Sequence, residues 1–454
     1  MSTNNAEAID YVLHSAQERD VKFIRLWFTD ILGTLKGFAV TIDELEHVLH
    51  RGATFDGSAI DAFARSTEAD MVAVPDPSTW QILPWRPREN AVARMFCDIQ
   101  TPDGVVAETD SRNVLRRIMR RAADKGFTYY VGPELEYFYL EEPNWEGRNG
   151  VPHVVKPVGR GGYFDQTSAD SGADLRRETV IALEEMGIPV QHSHHEVSEG
   201  QHEIDLRHTN ALAMADAVIT FRLTVKEVAA ARGAYATFMP KPSNDLHGSG
   251  MHTSVSLFEG EHNAFYDEGD ARHLSDLGKH FLAGLLRHGA EITAVTNQWV
   301  NSYKRLVPGF EAPVYSAWTE SGWADLVRVP AFRPGREVSV RIEYRAPDSA
   351  CNPYLAFSVI LAAGLAGIEH EYPLPEPFAG NLADLIDEEL AEVGVARLPG
   401  NLSEAVQLAE QSELVRDVLG DRVFESFLRN KKIEWRDYEA TVTDYEVGRY
   451  LRDL

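Results

Sequence analysis

Apolar positions first recur at helical spacing over residues 6–19, where Ile9, Val12 and Leu13 fall on one side. The period then shortens to two. VKFIRLWFTD and LKGFAVTI read as strands on either side of a D-I-L-G turn, the pattern of a hairpin. A helical stretch at 42–50 leads into RGATFDGSAIDAF, whose small and polar residues predict a loop. PDPSTWQILPWRP and ARMFCDIQTPDG supply further strands, punctuated by Pro and Gly. Near residue 110 the texture changes: 111–125 predicts a helix capped by Ser111 with an Arg-rich face, and the domain boundary is placed there, giving 1–109 and 110–454. Beyond it, predicted helices at 171–186, 211–232, 274–294 and 353–369 interleave with strands, and 404–454 is helical almost throughout. Its end keeps Tyr445, Val447, Tyr450 and Leu451 as apolar anchors. The apolar run 355–368 is shorter than the roughly 20 residues a bilayer requires, so it predicts a buried helix and no membrane span.

Several period-two segments carry charge on one face. Glu134 and Glu136 alternate with packing residues in GPELEYF, and His252, Ser254 and Ser256 alternate with Met251, Val255 and Leu257. Arg341, Glu343 and Arg345 alternate with Ile342 and Tyr344, while Glu196 and Glu203 sit in HHEVSEGQHE. A sheet with one wet face would show the same alternation. Carboxylates brought together repel one another unless a cation neutralises them, so these segments read better as a cavity that holds divalent ions. Carboxylates with one imidazole and no Cys suit Mg²⁺ or Mn²⁺. Five glutamates exceed what one Mg²⁺ uses, which points to two or more ions held with a nucleotide, the arrangement of phosphoryl transfer. Arg305, Arg328, Arg341 and Arg345 offer guanidinium forks for carboxylate and phosphate. Neither a Gly-x4-Gly-Lys-Ser/Thr loop nor a Gly-x-Gly-x-x-Gly helix start is present, so a nucleotide would be held by another fold.

Composition narrows the partners. Lys plus Arg number 44 against 70 Asp plus Glu, a formal net charge of -26, which argues against a nucleic-acid partner. Cys97 and Cys351 are the only cysteines, far apart in apolar contexts, so no disulfide framework is expected and a reducing, cytoplasmic location is. The first residues show no basic leader followed by an apolar core, so a signal peptide is not expected.

In order along the chain, FTDILG, FDGSAIDAF, PDPSTW, GPELEYF, GGYFD, HHEVSEGQHEIDLRH, FMPKP, GSGMHTSVSLF, NSYKRLVPGFEAP, RIEYRAPDSACNPYL and FLRNKKIEW resemble the glutamine synthetase family, type I. The resemblance implies an α+β fold, with an N-terminal β-grasp domain and a catalytic domain whose antiparallel sheet forms a funnel. It implies an ATP-dependent ligase that joins the γ-carboxylate of L-glutamate to an amine through γ-glutamyl phosphate. Position by position, Glu136, Glu196 and Glu203 would hold one metal ion and Glu134, His252 and Glu343 the other. Arg305 and Arg345 would grip glutamate near Gly248, while Arg328 and Arg341, with Ser254 and Ser256, would face ATP. Glu311 would close the site and accept a proton from the nitrogen; Tyr163 and Asp56 would hold the ammonium, Asp56 coming from a neighbouring subunit. Two stacked six-membered rings, a dodecamer, are the implied assembly.

Three positions depart from the family pattern. Ala59 replaces the second Ser of FDGSS, His247 replaces the Asn before GSGMH, and Trp323 falls where the family has an arginine beside the transferring phosphoryl group. Together they predict an organic amine, a polyamine or another primary amine, as acceptor. An ordinary ammonia-using glutamine synthetase is the alternative, and Trp323 alone favours a catalytically weak structural or nitrogen-sensing relative.

Overall fold

In the computed structural model, which describes residues 3–60, 62, 68–142, 155–322, 324–378, 382–452 and 454, the predicted hairpin forms. Val21–Thr29 pairs antiparallel with Leu35–Thr41. Asp30 makes the turn by accepting from the backbone N–H groups of Leu32 (3.0 Å) and Thr34 (2.9 Å), and Gly33 takes the positive φ of 79° that the reversal needs. Ala91–Gln100 lies parallel to Val21–Thr29, then Asp70–Pro75 and Ala53–Asp56 follow antiparallel. Part of the segment expected to be a loop is therefore the edge strand Ala53–Asp56. Its partner lies beyond the loop, so the segment's own composition gave no sign of the pairing. The helices Thr3–Glu18 and Leu45–Arg51 bury Ile9, Val12, Leu45 and Val48 on this sheet.

The larger sheet runs in the order Tyr315–Thr319, Asp325–Arg328, Ile342–Tyr344, Met251–Glu259, Thr128–Glu141, Gln201–Leu206, Val190–His195. The alternate residues Val131, Leu135, Tyr137 and Val255 enter the main core with the helices Ala211–Ala231, Asp276–Thr296 and Pro353–Glu369. Pro353–Glu369 is buried on nearly all sides, as its uninterrupted apolar sequence predicts. Asn352 caps it, accepting from Tyr354 N–H at 3.1 Å, and its amide donates to Ile31 O and Ser111 Oγ. The architecture is α+β, as expected. No helix among the described residues is long and apolar enough to cross a membrane.

Helix Ser111–Asp124 starts where expected, but its cap is Asp110, which accepts from Arg112 N–H at 2.9 Å. Ser111 is buried against Asn352 instead. Arg112, also buried, donates to Asp76 and Asp98 of the N-terminal part and through both Nε and Nη2 to Asp216 on Ala211–Ala231. One cation thus ties three carboxylates together. Arg112→Met keeps much of the volume and removes the charge, so it should lower unfolding free energy by about 3 kcal/mol or more. Urea titration measures this, and a loss under about 1 kcal/mol would mean that neighbouring Arg116 takes over.

The chain ends in helices Leu402–Gln411, Glu413–Leu419, Asp421–Glu439 and Asp444–Tyr450. On the last, Tyr445, Val447 and Tyr450 stay exposed, as does Leu451 just after it.

Candidate active site

Sheet register assembles the charged face. Thr128–Glu141 sets Glu134 opposite His252 on one side and opposite Asp205 on the other, and Glu136 opposite Glu203. One strand further out Ser254 pairs with Glu343, and Glu343 with Arg328; at the other edge His194 pairs with Glu203. Directly paired residues lie about 5 Å apart on one face. Residues distant in sequence are thus brought together by pairing alone.

His252 Nδ1 lies 3.7 Å from Glu134 and 3.8 Å from Glu343, and its Nε2 lies 4.0 Å from Glu136. Donor atoms of Glu134, His252 and Glu343 fall within 4.8 Å of one another, as do those of His194, Glu203 and Asp205. Glu136 is oriented by Gly250 N–H at 2.8 Å and Gln201 Nε2 at 3.2 Å, and Glu196 accepts from Val197 N–H at 2.9 Å. Asp170, His195 and His202 form a third group, which by strand alternation lies on the reverse face. There Arg176 donates to His202 Nδ1 at 2.6 Å, so the guanidinium supplies the positive charge already.

The electrostatics test whether a cation fits. Burial, reinforced by Glu136, pushes the Glu196 carboxyl up to about 8. Burial and the charges of Asp205 and Glu136 raise Glu203 well above the usual range. Burial and Glu134 push Asp205 up to about 6, and burial raises Glu134 against the opposing pull of Arg341. His252 is driven down to about 4 by burial and by Arg345, so its ring is neutral at pH 7 and offers a lone pair. Its buried Nε2 has no hydrogen-bond partner among the described residues. Carboxylates that resist ionisation beside a neutral imidazole form a donor set that a divalent cation would complete.

A cavity of about 310 Å³ opens on this face. Glu134, Glu136, Glu196, Glu203, His252 and Glu343 line it together with Tyr163, His247, Gly248, Glu311, Arg328 and Arg345. Arg328 Nη1 lies 3.0 Å and Arg345 Nε 3.3 Å from opposite oxygens of Glu343, while Arg345 Nη1 donates to Gly322 O at 2.8 Å. Asp56, Ala59, Ser254, Ser256, Arg305 and Arg341 are not part of this lining. Asp56 accepts from Ser58 N–H in its own turn and from Ala69 N–H just before the partner strand, and Ala59 ends the short 3-10 helix that follows Asp56. Ser254 accepts from Arg341 Nε at 3.2 Å, and Ser256, also buried, is two residues further along that strand. Arg305 is fully buried, its guanidinium donating to the carbonyls of Ala346 (2.7 Å), Arg345 (3.1 Å) and Pro347 (3.3 Å). It braces the backbone that carries Arg345. Gly248 and Gly250 permit this, because a Cβ at either would come within 2.6 Å of Arg305. Trp323 lies outside the described residues.

Some lining residues escaped the sequence reading. Gln201, Phe310 and residues 320–322 enter the cavity from strand ends and loops. His194 and Asp205 had a signal: Asp205 lies two residues from Glu203 on the same strand face, and His194 two residues before Glu196, which follows the end of its strand.

Two family models account for the chain: "Glutamine synthetase, catalytic domain" matches residues 108–450, and "Glutamine synthetase, beta-Grasp domain" matches residues 20–102. The chain belongs to the glutamine synthetase family. A glutamine synthetase of Mycolicibacterium smegmatis is 52% identical over 445 residues, covering 97% of this chain and 98% of that one. That of Mycobacterium tuberculosis is 51% identical over 444 residues, with the same coverage. The glutamine synthetase of Methanosarcina mazei is 46% identical over 443 residues, covering 98% and 97%. Among solved structures, a GmaS/ADP complex superposes with a TM-score of 0.85 at 30% identity, covering 97% of this chain and 99% of that one. Plasmodium falciparum glutamine synthetase superposes with a TM-score of 0.87 at 24% identity over 99% of each chain, a likeness of fold. The protein is thus an ATP-dependent ligase of the glutamine synthetase family, with a β-grasp domain and a catalytic domain, and this family uses glutamate, ATP and divalent metal ions.

Proposed function

We propose that this glutamine synthetase-family ligase converts L-glutamate and ammonia to glutamine at the expense of ATP. The observation that carries the acceptor is the set of relatives at 46–52% identity, all glutamine synthetases. It favours ammonia over the organic amine expected from Ala59, His247 and Trp323.

Glu136, Glu196 and Glu203 would hold one ion and Glu134, His252 and Glu343 the other, Mg²⁺ or Mn²⁺ by donor type, with His194 and Asp205 adjoining the first set. Such ions neutralise phosphate charge. Arg328 would meet the transferring phosphoryl group and Arg345 would hold the γ-carboxylate as its oxygen attacks the γ-phosphorus of ATP, roles supported by their shared place in the cavity wall beside Glu343. ADP leaves and γ-glutamyl phosphate remains. Ammonium enters beside Tyr163, whose neighbours Glu196 and Glu311 favour a cation. Glu311 accepts its proton, because only the free amine has the lone pair that attacks the γ-carbonyl and expels phosphate. Asp56 lies outside its own chain's cavity, which fits its supply by a neighbour in a ringed oligomer, the dodecamer, and the exposed apolar residues of the last helix suit such packing. A cytoplasmic location accords with two unpaired, buried cysteines.

A second reading keeps the chemistry and changes the amine. His247 stands in the cavity wall where the family pattern has Asn, and Ala59 sits in the ammonium turn. Phosphate and amide should be measured with ammonium, methylamine, ethanolamine and putrescine. Turnover highest with ammonium is expected; turnover at least about tenfold higher in kcat/KM with an organic amine would replace the first reading by the second.

A further inference from the structure

Segment 307–311 bears Glu311 into the cavity in a conformation that its own sequence does not favour. Glu311 is a non-glycine residue with a φ of 51°, and Gly309, at φ 88°, precedes it in an exposed stretch. Such backbone persists only when its surroundings hold it. The holding contacts converge on Phe310. The ammonium of Lys241 stands 3.3 Å from the Phe310 ring centroid, and the His247 ring meets Phe310 edge-on, with centroids 5.6 Å apart and planes at 78°. Both contacts are anchored. Lys241 N–H donates to Asn301 Oδ1 at 2.8 Å, Asn301 Nδ2 returns a bond to Lys241 O at 3.0 Å, and Lys241 Nζ donates to Leu246 O. His247 N–H donates to Ser198 Oγ at 2.7 Å, two residues beyond Glu196 on the metal side. Phe310, His247 and Glu311 line the cavity alongside Tyr163 and Glu196.

We infer that Lys241 and His247 are positioning residues that hold Phe310, and through it Glu311, over the acceptor side of the cavity. This rests on the reading that the site forms γ-glutamyl phosphate. That intermediate has two possible nucleophiles. Ammonia attacks its γ-carbonyl, the carbon–oxygen bond to phosphate breaks, and amide forms. If water attacks the same carbon, the same bond breaks and glutamate is regenerated, so ATP is spent without product. A held wall admits the first and excludes the second.

The test is the ratio of phosphate released to amide formed, with ATP, glutamate, Mg²⁺ and ammonium chloride, in the full-length protein. In the wild type the ratio should lie near one. In Lys241→Met and in Phe310→Leu, which removes the ring but keeps an apolar side chain, it should rise by about threefold or more. The KM for ammonium should rise with it and the KM for ATP stay unchanged. His247→Asn should shift the ratio in the same direction by less, and Lys241→Arg, which restores a cation over the ring, should return it towards one. A merely structural role would lower the melting temperature and leave the ratio alone. Variants that match an active wild type in both ratio and ammonium KM overturn the inference alone. A wild type that forms no amide overturns the proposed function and the inference together.

Discussion

Glu343→Ala should reduce ATP-dependent amide formation by roughly 10³-fold, about 4 kcal/mol of transition-state stabilisation, while the protein remains folded. The carboxylate is buried, it pairs with Arg328 at 3.0 Å and Arg345 at 3.3 Å, and His252 Nδ1 lies 3.8 Å away. Removing it takes a donor from one proposed ion and frees the two guanidinium groups from their common anchor. The fold should survive because Glu343 lines the cavity and not the apolar core, and both guanidinium groups keep a backbone partner, Arg328 at Glu320 O and Arg345 at Gly322 O. Glu343→Gln, which keeps the size and loses the charge, should fail to the same extent. Coupled phosphate release, amide formation and a melting curve decide the matter. Activity within about tenfold of wild type in either variant would remove Glu343 from the metal site.

In metal-free protein, thermal stability should fall as pH rises from about 6 to about 8, and Mg²⁺ or Mn²⁺ should restore more of it at the upper end. Glu196, raised from 4.5 to about 8 by burial and by Glu136, sets this window; Asp205, raised from 3.8 to about 6 by burial and by Glu134, has lost its contribution by the lower end of it. Between the unfolded and folded values, the folded protein keeps protons that the unfolded chain has released. Stability is therefore greatest below the unfolded value and is lost as pH climbs through the folded one. A divalent cation replaces those protons, so binding should release protons near pH 7, visible as a buffer-dependent heat in calorimetry. An equal cation effect on melting temperature across this range, with no proton release, would show that the acids already ionise without the metal.

The six proposed metal ligands were legible because β-structure has a period of two and carboxylates are conspicuous on one face. The same rule applied two residues further would have added His194 and Asp205. Arg305 shows where the residue type was insufficient. A guanidinium can serve a ligand carboxylate and backbone carbonyls alike, and only the fold shows that Arg305, packed behind Gly248 and Gly250, donates to the carbonyls of Ala346 and Arg345. The Asp110 cap could not be separated from Ser111 by composition, since both are good caps and only the direction of each side chain distinguishes them.

The sequence by itself determined the strand faces, the apolar core helix at Pro353–Glu369, the hard-ligand chemistry and, through its motifs, the family; each depends on local periodicity or residue type. Tertiary structure decided which strands are neighbours, and therefore that Glu134 meets both His252 and Asp205 while Glu343 meets Arg328. It also decided that Phe310 is held between Lys241 and His247, some sixty residues earlier in the chain. Such pairings cost chain entropy that no local segment can offset, so they exist only when the whole core folds around them.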